Sequence, residues 1–304
     1  MTVVIEATDV EPHLDWIALT EALAEGHRAP PAEVEDVFLY RDENTLLNRS
    51  AWIRGMGILV KCATIFPGNV AEGKPAIGGA VTLFSDTDGT LEAIIDFGLV
   101  TKWKTAGDSL LAARRLARPE SRRILIVGAG TVGHSLREAY GAAVPGAHFT
   151  VWNRSAEGAE RFRERWPDVA IADDLEAAVR AADIVASATM STDPVIRGKW
   201  LQPGQHIDLI GAYRPDMREV DDVALTRSQI FVDNRHTTAG HIGELKIPIA
   251  AGVISEADIV ADFYEPGAFR RRQADDITLF KNGGGAHLDL MTARYILSAW
   301  EAAL

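Results

Sequence analysis

Gly128, Gly130 and Gly133 stand at G-x-G-x-x-G spacing in the stretch IVGAGTVG, residues 126 to 133. Glycines in this arrangement suit the handling of a pyrophosphate. Gly128 allows a tight turn out of a strand, Gly130 lets the main chain approach phosphate oxygens with no Cβ in the way, and Gly133 lets a helix lie close on its sheet. Thr131 and Val132 open that helix, whose unpaired first N–H groups and positive dipole end favour an anion. Glycines also collect in ordinary turns, so the order of the surrounding elements matters.

Asn153, Arg154 and Ser155 follow the next apolar run, where an acidic residue would accept the ribose hydroxyls of NAD. A guanidinium with two small hydrogen-bonding side chains suits a 2′-phosphate instead, which a carboxylate would repel. The triplet therefore favours NADP(H) over NAD(H). The plainer alternative makes Arg154 a solvated surface charge and Ser155 the N-cap of the helix that follows, and Ser155 can serve both ends.

The elements needed to present these residues are legible around them. Ile124 to Val127 reads as a short buried strand, the pattern turns helical from Thr131 to the Pro145-Gly146 breaker, and Phe149 to Trp152 is a second strand. Further helices are expected at 156–166 and 175–181, with strands at 169–171 and 184–188 and apolar runs at 206–210 and 229–232, enough for a parallel sheet. Ala188 and Thr189 then fall at the carboxyl edge of a strand, where a nicotinamide ribose would lie. Upstream, helical spacing over 13–29 gives way to strand-like runs at 34–40, 45–53, 57–66, 76–84 and 91–97, separated by turn-rich segments. Helical patterns return over 99–117 and 287–303, and the second of these could pack back on the early strands.

Lys61 interrupts one of those early strands, in the run Ile58, Leu59, Val60, Lys61, Cys62. A buried ammonium is costly unless paired, so the residue is an unusual choice for packing alone; strand alternation could also turn it to solvent. The chain of 304 residues is 47% hydrophobic, long enough for two domains, and its net charge of -12 argues against a nucleic-acid or anionic-membrane surface. The single cysteine, Cys62, allows no intrachain disulfide, and no signal peptide or membrane-spanning run is apparent, which fits a cytoplasmic protein. His236 and His241 have no carboxylate or cysteine cluster at metal-ligand spacing, so no catalytic metal is expected, and His134 looks incidental.

With these pieces placed, the chain resembles the ornithine cyclodeaminase/μ-crystallin family over most of its length. The matching stretches are LVKCATIFPGN at 59–69, GTLEAIIDFGLVTKWKTAGDSLLAARRLARP at 89–119, IVGAGTVG at 126–133, SATMSTDPVI at 187–196, IDLIGAYRPDMREVD at 207–221 and ITLFKNGGGAHLDL at 277–290. The resemblance implies an α/β protein: a Rossmann-type doubly wound parallel sheet, residues 119–285, inserted in a β-rich α+β substrate and dimerisation domain, residues 1–118 with 286–304. It also implies a homodimer acting on a small imino or amino acid.

Within that resemblance Lys61 occupies the family's lysine position, for substrate contact and proton transfer. Lys104 stands where many relatives carry an arginine, keeping the charge but not the bidentate fork. Thr105 and Ser109 are placed to touch cofactor phosphates. A carboxylate-binding arginine is expected before the lysine strand, with Arg49 and Arg41 as candidates, either of which could instead be a surface charge. Gly283, Gly284 and Gly285, before His287 and Asp289, resemble the family's loop near the nicotinamide, with Gly284 the cofactor contact; they equally suit a hinge. Tyr213 lies where true ornithine cyclodeaminases place the aspartate that receives the second amino group, unless a loop shift brings Asp216 there. The expectation is NADPH-dependent reduction of the C=N bond of a small imino acid. A crystallin-like binder of NADPH without turnover is the alternative, with amino-acid dehydrogenase and ornithine cyclodeaminase activities behind it.

Overall fold

The structure, a computed structural model, describes residues 2–304, and of Val70 the backbone alone. The chain forms two compact units, residues 1–104 with 285–304 and residues 105–284. In the first unit, β1 (Val3–Ile5), α1 (Ala7–Val10) and α2 (Trp16–Gly26) precede β2 (Glu33–Arg41), β3 (Asn44–Ile53), β4 (Gly57–Ile65), β5 (Ile77–Phe84) and β6 (Leu91–Asp96). These strands form one sheet in the order β1-β6-β5-β4-β3-β2, antiparallel throughout except for the β1–β6 pair. The five long strands lie within a residue or two of the alternating apolar runs, because an antiparallel sheet covered on one face writes its pleat directly into the sequence. β1 carries too few residues to show a period.

On β4 the alternation is strict: Gly57, Leu59, Lys61 and Ala63 are buried while their neighbours are half-exposed. Cross-strand register sets Asp36, Arg49, Lys61, Val81 and Ile95 in one row over that same face. The last helix, Ala286–Ala302, returns over this face, packing on α2 and on β3, β4 and β5.

α3 (Phe97–Leu116) crosses from one unit to the other, and the division falls within it, between Lys104 and Thr105, rather than at its C-terminal end. The reason is local bonding: Asn282 Nδ2 donates to the Thr105 carbonyl and to Ser109 Oγ, and Ser109 Oγ donates to Asp208 Oδ1.

The second unit continues with β7 (Arg123–Val127), α4 (Thr131–Ala143), β8 (His148–Trp152), α5 (Ala156–Arg165), β9 (Ala170–Ile171), α6 (Leu175–Ala181), β10 (Ile184–Ser187) and β11 (His206–Leu209). It ends with α7 (Asp222–Arg227), β12 (Gln229–Val232), α8 (Arg235–Thr238), α9 (Gly243–Ala250), β13 (Ile259–Ala261) and β14 (Thr278–Lys281), after which α10 is the returning helix Ala286–Ala302. All eight strands are parallel, in the order β13-β12-β14-β11-β10-β7-β8-β9. Leu125, Val127, Val185, Ile207, Leu209, Val232 and Leu279 are buried in its core, the near-continuous apolar content of strands covered on both faces. Chain order reverses between β7 and β10, so the switch point where such sheets bind ligands lies at the ends of these two strands.

Candidate active site

In the second unit, both loops at the switch point are shaped by close approach. Gly128 leaves β7 with φ +109, and a Cβ there would lie 2.8 Å from the Ala188 carbonyl oxygen after β10. A Cβ on Gly133 would meet the Gly128 carbonyl oxygen at 2.3 Å, so α4 can rest on the turn only as glycine allows. A Cβ on Gly130 would meet nothing within 4 Å. Gly130 is the N-cap of α4, exposed together with Thr131, while Val132 is half-buried and Gly133 buried. The first-turn N–H groups of a thirteen-residue helix thus open onto free space beside a bare backbone, a cradle that fits a pyrophosphate.

At the end of β8, Asn153 is committed to the scaffold. Its Oδ1 accepts from the Ala129 N–H at 3.1 Å, and its Nδ2 donates to the carbonyl and hydroxyl oxygens of Ser155. Ser155 Oγ caps α5 by accepting from Gly158 N–H at 3.2 Å. Arg154 is exposed beside them. Ala188 and Thr189 are half-buried, and Thr189 donates both its N–H and its hydroxyl to Glu219. Gly284 adopts φ +66. Thr105 is half-buried, but Ser109 is fully buried with its hydroxyl engaged by Asp208 and Asn282, which removes it from phosphate contact.

Tyr213 is 59% exposed in the loop after β11. Asp216 accepts from Arg214 with both of its oxygens, at 2.9 and 2.8 Å, in an exposed pair. His134 is structural, accepting from Trp166 Nε1 and stacking on Phe162. Among the described residues no group of three or more His, Cys, Asp or Glu is arranged to hold a metal ion, and no helix is long and apolar enough to cross a membrane.

In the first unit, Lys61 points to the buried face of β4. Its Nζ donates to Asp289 Oδ1 at 2.9 Å and to Thr101 Oγ1 at 2.8 Å, and lies 4.7 Å from the centre of the Phe97 ring. Arg49, its neighbour across the β3–β4 ladder, donates to both oxygens of Asp36, and its Nη1 stands 4.0 Å from Asp289 Oδ2. Lys104, one turn of α3 beyond Thr101, is buried as well. Arg41, the other arginine candidate, is exposed at the end of β2. Three cations, Arg49, Lys61 and Lys104, therefore stand near the carboxylate of Asp289, and Arg49 also pairs with Asp36.

Burial lowers the Lys61 ammonium below its ordinary range; Asp289 opposes this, while Lys104 and Arg49 add to it. Burial alone would raise the Asp289 carboxyl, but Lys61, Lys104 and Arg49 overcome it and hold the group below the usual carboxylate range. His287 is pushed well below neutrality, by burial first and by His27 and Lys104 next. The cluster so combines an ammonium eased toward losing a proton with a positive field able to hold a substrate carboxylate.

Asp289, Thr101 and Phe97 carry much of this geometry and were not singled out as contacts by spacing. Asp289, set between Leu288 and Leu290 early in α10, was the available signal: a charge inside an apolar stretch needs a partner, as Lys61 does on its strand.

The sequence profile of the ornithine cyclodeaminase/mu-crystallin family matches residues 53–303. The chain belongs to that family. It is 51% identical over 296 residues to the Δ1-pyrroline-2-carboxylate reductase of Paracoccus denitrificans, covering 95% of this chain and 94% of that one. It is 32% identical to the mouse ketimine reductase mu-crystallin, over 81% of this chain and 77% of that protein. Among solved family folds, the Thermococcus litoralis Δ1-pyrroline-2-carboxylate reductase, in complex with NADH and L-proline, superimposes with a TM-score of 0.88 at 23% identity, covering 99% of this chain and 98% of that one. An archaeal alanine dehydrogenase dimer with bound NAD gives a TM-score of 0.88 at 25% identity, covering 99% and 97%. The family fold is thus an α/β one with a parallel nucleotide-binding sheet, as the glycine motif and strand order predict.

Two buried carboxyls of the second unit couple its stability to pH. Burial pushes Asp208 up to about 7 against the hydrogen bonds from Tyr140 and Ser109, and Glu244 up to about 7 with help from the charge of Glu219. Both hold a proton more tightly folded than unfolded, so the stability they contribute is complete below their unfolded range near pH ~4 and is lost as pH rises to about 7. Buried His206, lowered to about 3, and His287, well below its ordinary range, act oppositely and add stability as pH rises toward 6.5. The carboxyl contribution is therefore read against Asp208→Asn: from about pH 5 to about pH 7.5 the Tm of wild type should fall relative to that variant, and parallel profiles would contradict the assignment.

Proposed function

We propose that this protein is an oxidoreductase that reduces the C=N bond of a small imino acid of the Δ1-pyrroline-2-carboxylate type, drawing on NADPH. The observation that carries the reading is the buried Lys61–Asp289 pair at 2.9 Å, set among Arg49 and Lys104. The 51% identity to a pyrroline-2-carboxylate reductase supports the substrate class. Gly128, Gly130 and Gly133 would hold the dinucleotide, which would supply the hydride when bound. The positive field of Arg49 and Lys104 favours the α-carboxylate, and Lys61, eased by burial toward losing a proton, keeps the imine nitrogen protonated. Asp289 stabilises the ammonium until it is used.

Imine reduction needs no carboxylate for a second amino group, and Tyr213, with Asp216 engaged by Arg214, provides none. Ornithine cyclisation is accordingly disfavoured. NADPH is preferred to NADH on the exposed Arg154. The reading is tested by following NADPH oxidation in the near ultraviolet with cyclic imines bearing and lacking a carboxylate, NADH alongside. Turnover confined to the carboxylated imines is the expected result. Tight NADPH binding with no imine reduced would favour a crystallin-like binder.

The assembly we propose is a cytoplasmic homodimer formed through the sheet face opposite Lys61. Alternation turns Val37, Leu39 and Trp52 to that face, where they are 50%, 59% and 49% exposed. The double variant Val37→Asp, Leu39→Asp is expected to halve the mass measured by light scattering; an unchanged dimer, or a monomeric wild type, would refute this interface.

A further inference from the structure

Glu219 lies outside every helix and strand of the second unit, yet it is fully buried. Its Oε1 accepts from Ser187 Oγ at 2.6 Å, from Thr189 N–H at 2.7 Å and from Thr189 Oγ1 at 2.8 Å. Its Oε2 accepts from Gly211 N–H at 2.6 Å and from Ala212 N–H at 3.2 Å. One carboxylate thus joins the loop after β10 to the loop after β11. The two loops press together closely: a Cβ on Gly211 would lie 1.9 Å from the Thr189 carbonyl oxygen. The first loop also abuts the glycine turn, since a Cβ on Gly128 would lie 2.8 Å from the Ala188 carbonyl oxygen.

The carboxylate is itself anchored. The Glu219 N–H donates to Glu244 Oε2 at 2.7 Å, and its carbonyl accepts from Val195 and Ile196. Lys281 is the nearby buried counter-charge, with its Nζ donating to the Leu209 and Asn282 carbonyls.

We infer that Glu219 is a positioning residue for the dinucleotide: it fixes Ala188 and Thr189 against the Gly128 turn, so that the switch point is shaped before cofactor arrives. The inference rests on the proposed reading that this edge binds a nicotinamide dinucleotide. A carboxylate is required because three of its five partners are main-chain N–H groups, which can only donate. Glutamine would turn an NH2 toward at least one of them, exchanging an acceptor for a clash of donors. Preorganisation of this kind lowers the free energy spent on ordering at binding, so its loss weakens the dinucleotide complex rather than the chemical step.

The test uses the intact protein and titrates NADPH by quenching of tryptophan fluorescence, with steady-state rates and melting curves in parallel. Glu219→Gln is expected to raise the NADPH dissociation constant and KM by about tenfold or more, while kcat at saturating NADPH and the KM for imine move less than about threefold. Thr189→Val, which deletes one hydroxyl donor, should fall between, and Thr189→Ser, which restores it, should return to wild type. A folded Glu219→Gln protein with a lowered Tm but unchanged NADPH affinity would overturn the inference, leaving Glu219 a purely structural residue. If Glu219→Gln does not fold, Thr189→Val decides: NADPH affinity equal to wild type overturns the inference and weakened affinity restored by Thr189→Ser supports it. A wild-type chain that binds neither NADPH nor NADH would sink the functional reading, and this inference with it, whereas tight wild-type binding that all variants share sinks the inference alone.

Discussion

Lys61→Met should lower kcat for imine reduction by about 10²–10⁴-fold, the range a positioned general acid supplies. The same change strands Asp289 in a fully buried site with its nearest cation removed. Breaking a buried pair by deleting one partner costs about 3–5 kcal/mol, so the variant should also melt well below wild type. The two effects separate through Asp289→Asn. Asp289 is the largest influence raising the lysine's pKa against burial, so its loss must lower that pKa further. If Lys61 is the proton donor, kcat falls as pH rises through the lysine's pKa, because the ammonium is the active form. That basic limb should lie below the ordinary lysine value of 10.5 in wild type and move to still lower pH in Asp289→Asn. A basic limb that stays in place in Asp289→Asn would remove Lys61 from the proton step while leaving it a carboxylate ligand.

How far these residues could be read in advance follows from what each element writes into the sequence. Lys61 was legible as an anomaly because it interrupts the apolar run Ile58, Leu59, Val60, Cys62, whereas alternation alone left open whether it faced solvent; the structure places it with Leu59 and Ala63 on the buried face. Its partner was less legible, since Asp289 lies 228 residues away and nothing local on α10 encodes the return of that helix over β4. The glycine turn was legible in full, because both Gly128 and Gly133 are demanded by contacts that no side chain could make. Ser109 was misread for the opposite reason: a hydroxyl on a helix carries no sign of which way it faces, and it faces Asp208 in the interior. β13 and β14 are not among the apolar runs read in the sequence, and β14 enters the sheet between β11 and β12, out of chain order. Glu219 is the extreme case. A glutamate in a polar loop looks solvated, and only the convergence of two strand ends on one point reveals five donors in need of an acceptor.

Cofactor choice should turn on Arg154. In the triplet after β8, Asn153 is held by Ala129 and Ser155, and Ser155 caps α5, so both small polar residues already serve the scaffold. The discrimination between a 2′-phosphate and a 2′-hydroxyl therefore falls on the exposed guanidinium. A charge-assisted bond to phosphate contributes about 1.5–3 kcal/mol, and a guanidinium can make two at once. Arg154→Ala is expected to lower kcat/KM for NADPH by about 10–100-fold and leave that for NADH within about threefold, because the adenine ribose without phosphate offers the arginine no anion. Asn153→Asp tests the same argument from the other side: it adds the carboxylate that would accept ribose hydroxyls and repel a phosphate, at the cost of the donors that now hold Ser155. Its ratio of NADPH to NADH efficiency should fall below that of wild type. Should Arg154→Ala reduce both cofactors' efficiencies equally, Arg154 would be reading the shared pyrophosphate, and the preference for NADPH would lose its structural basis.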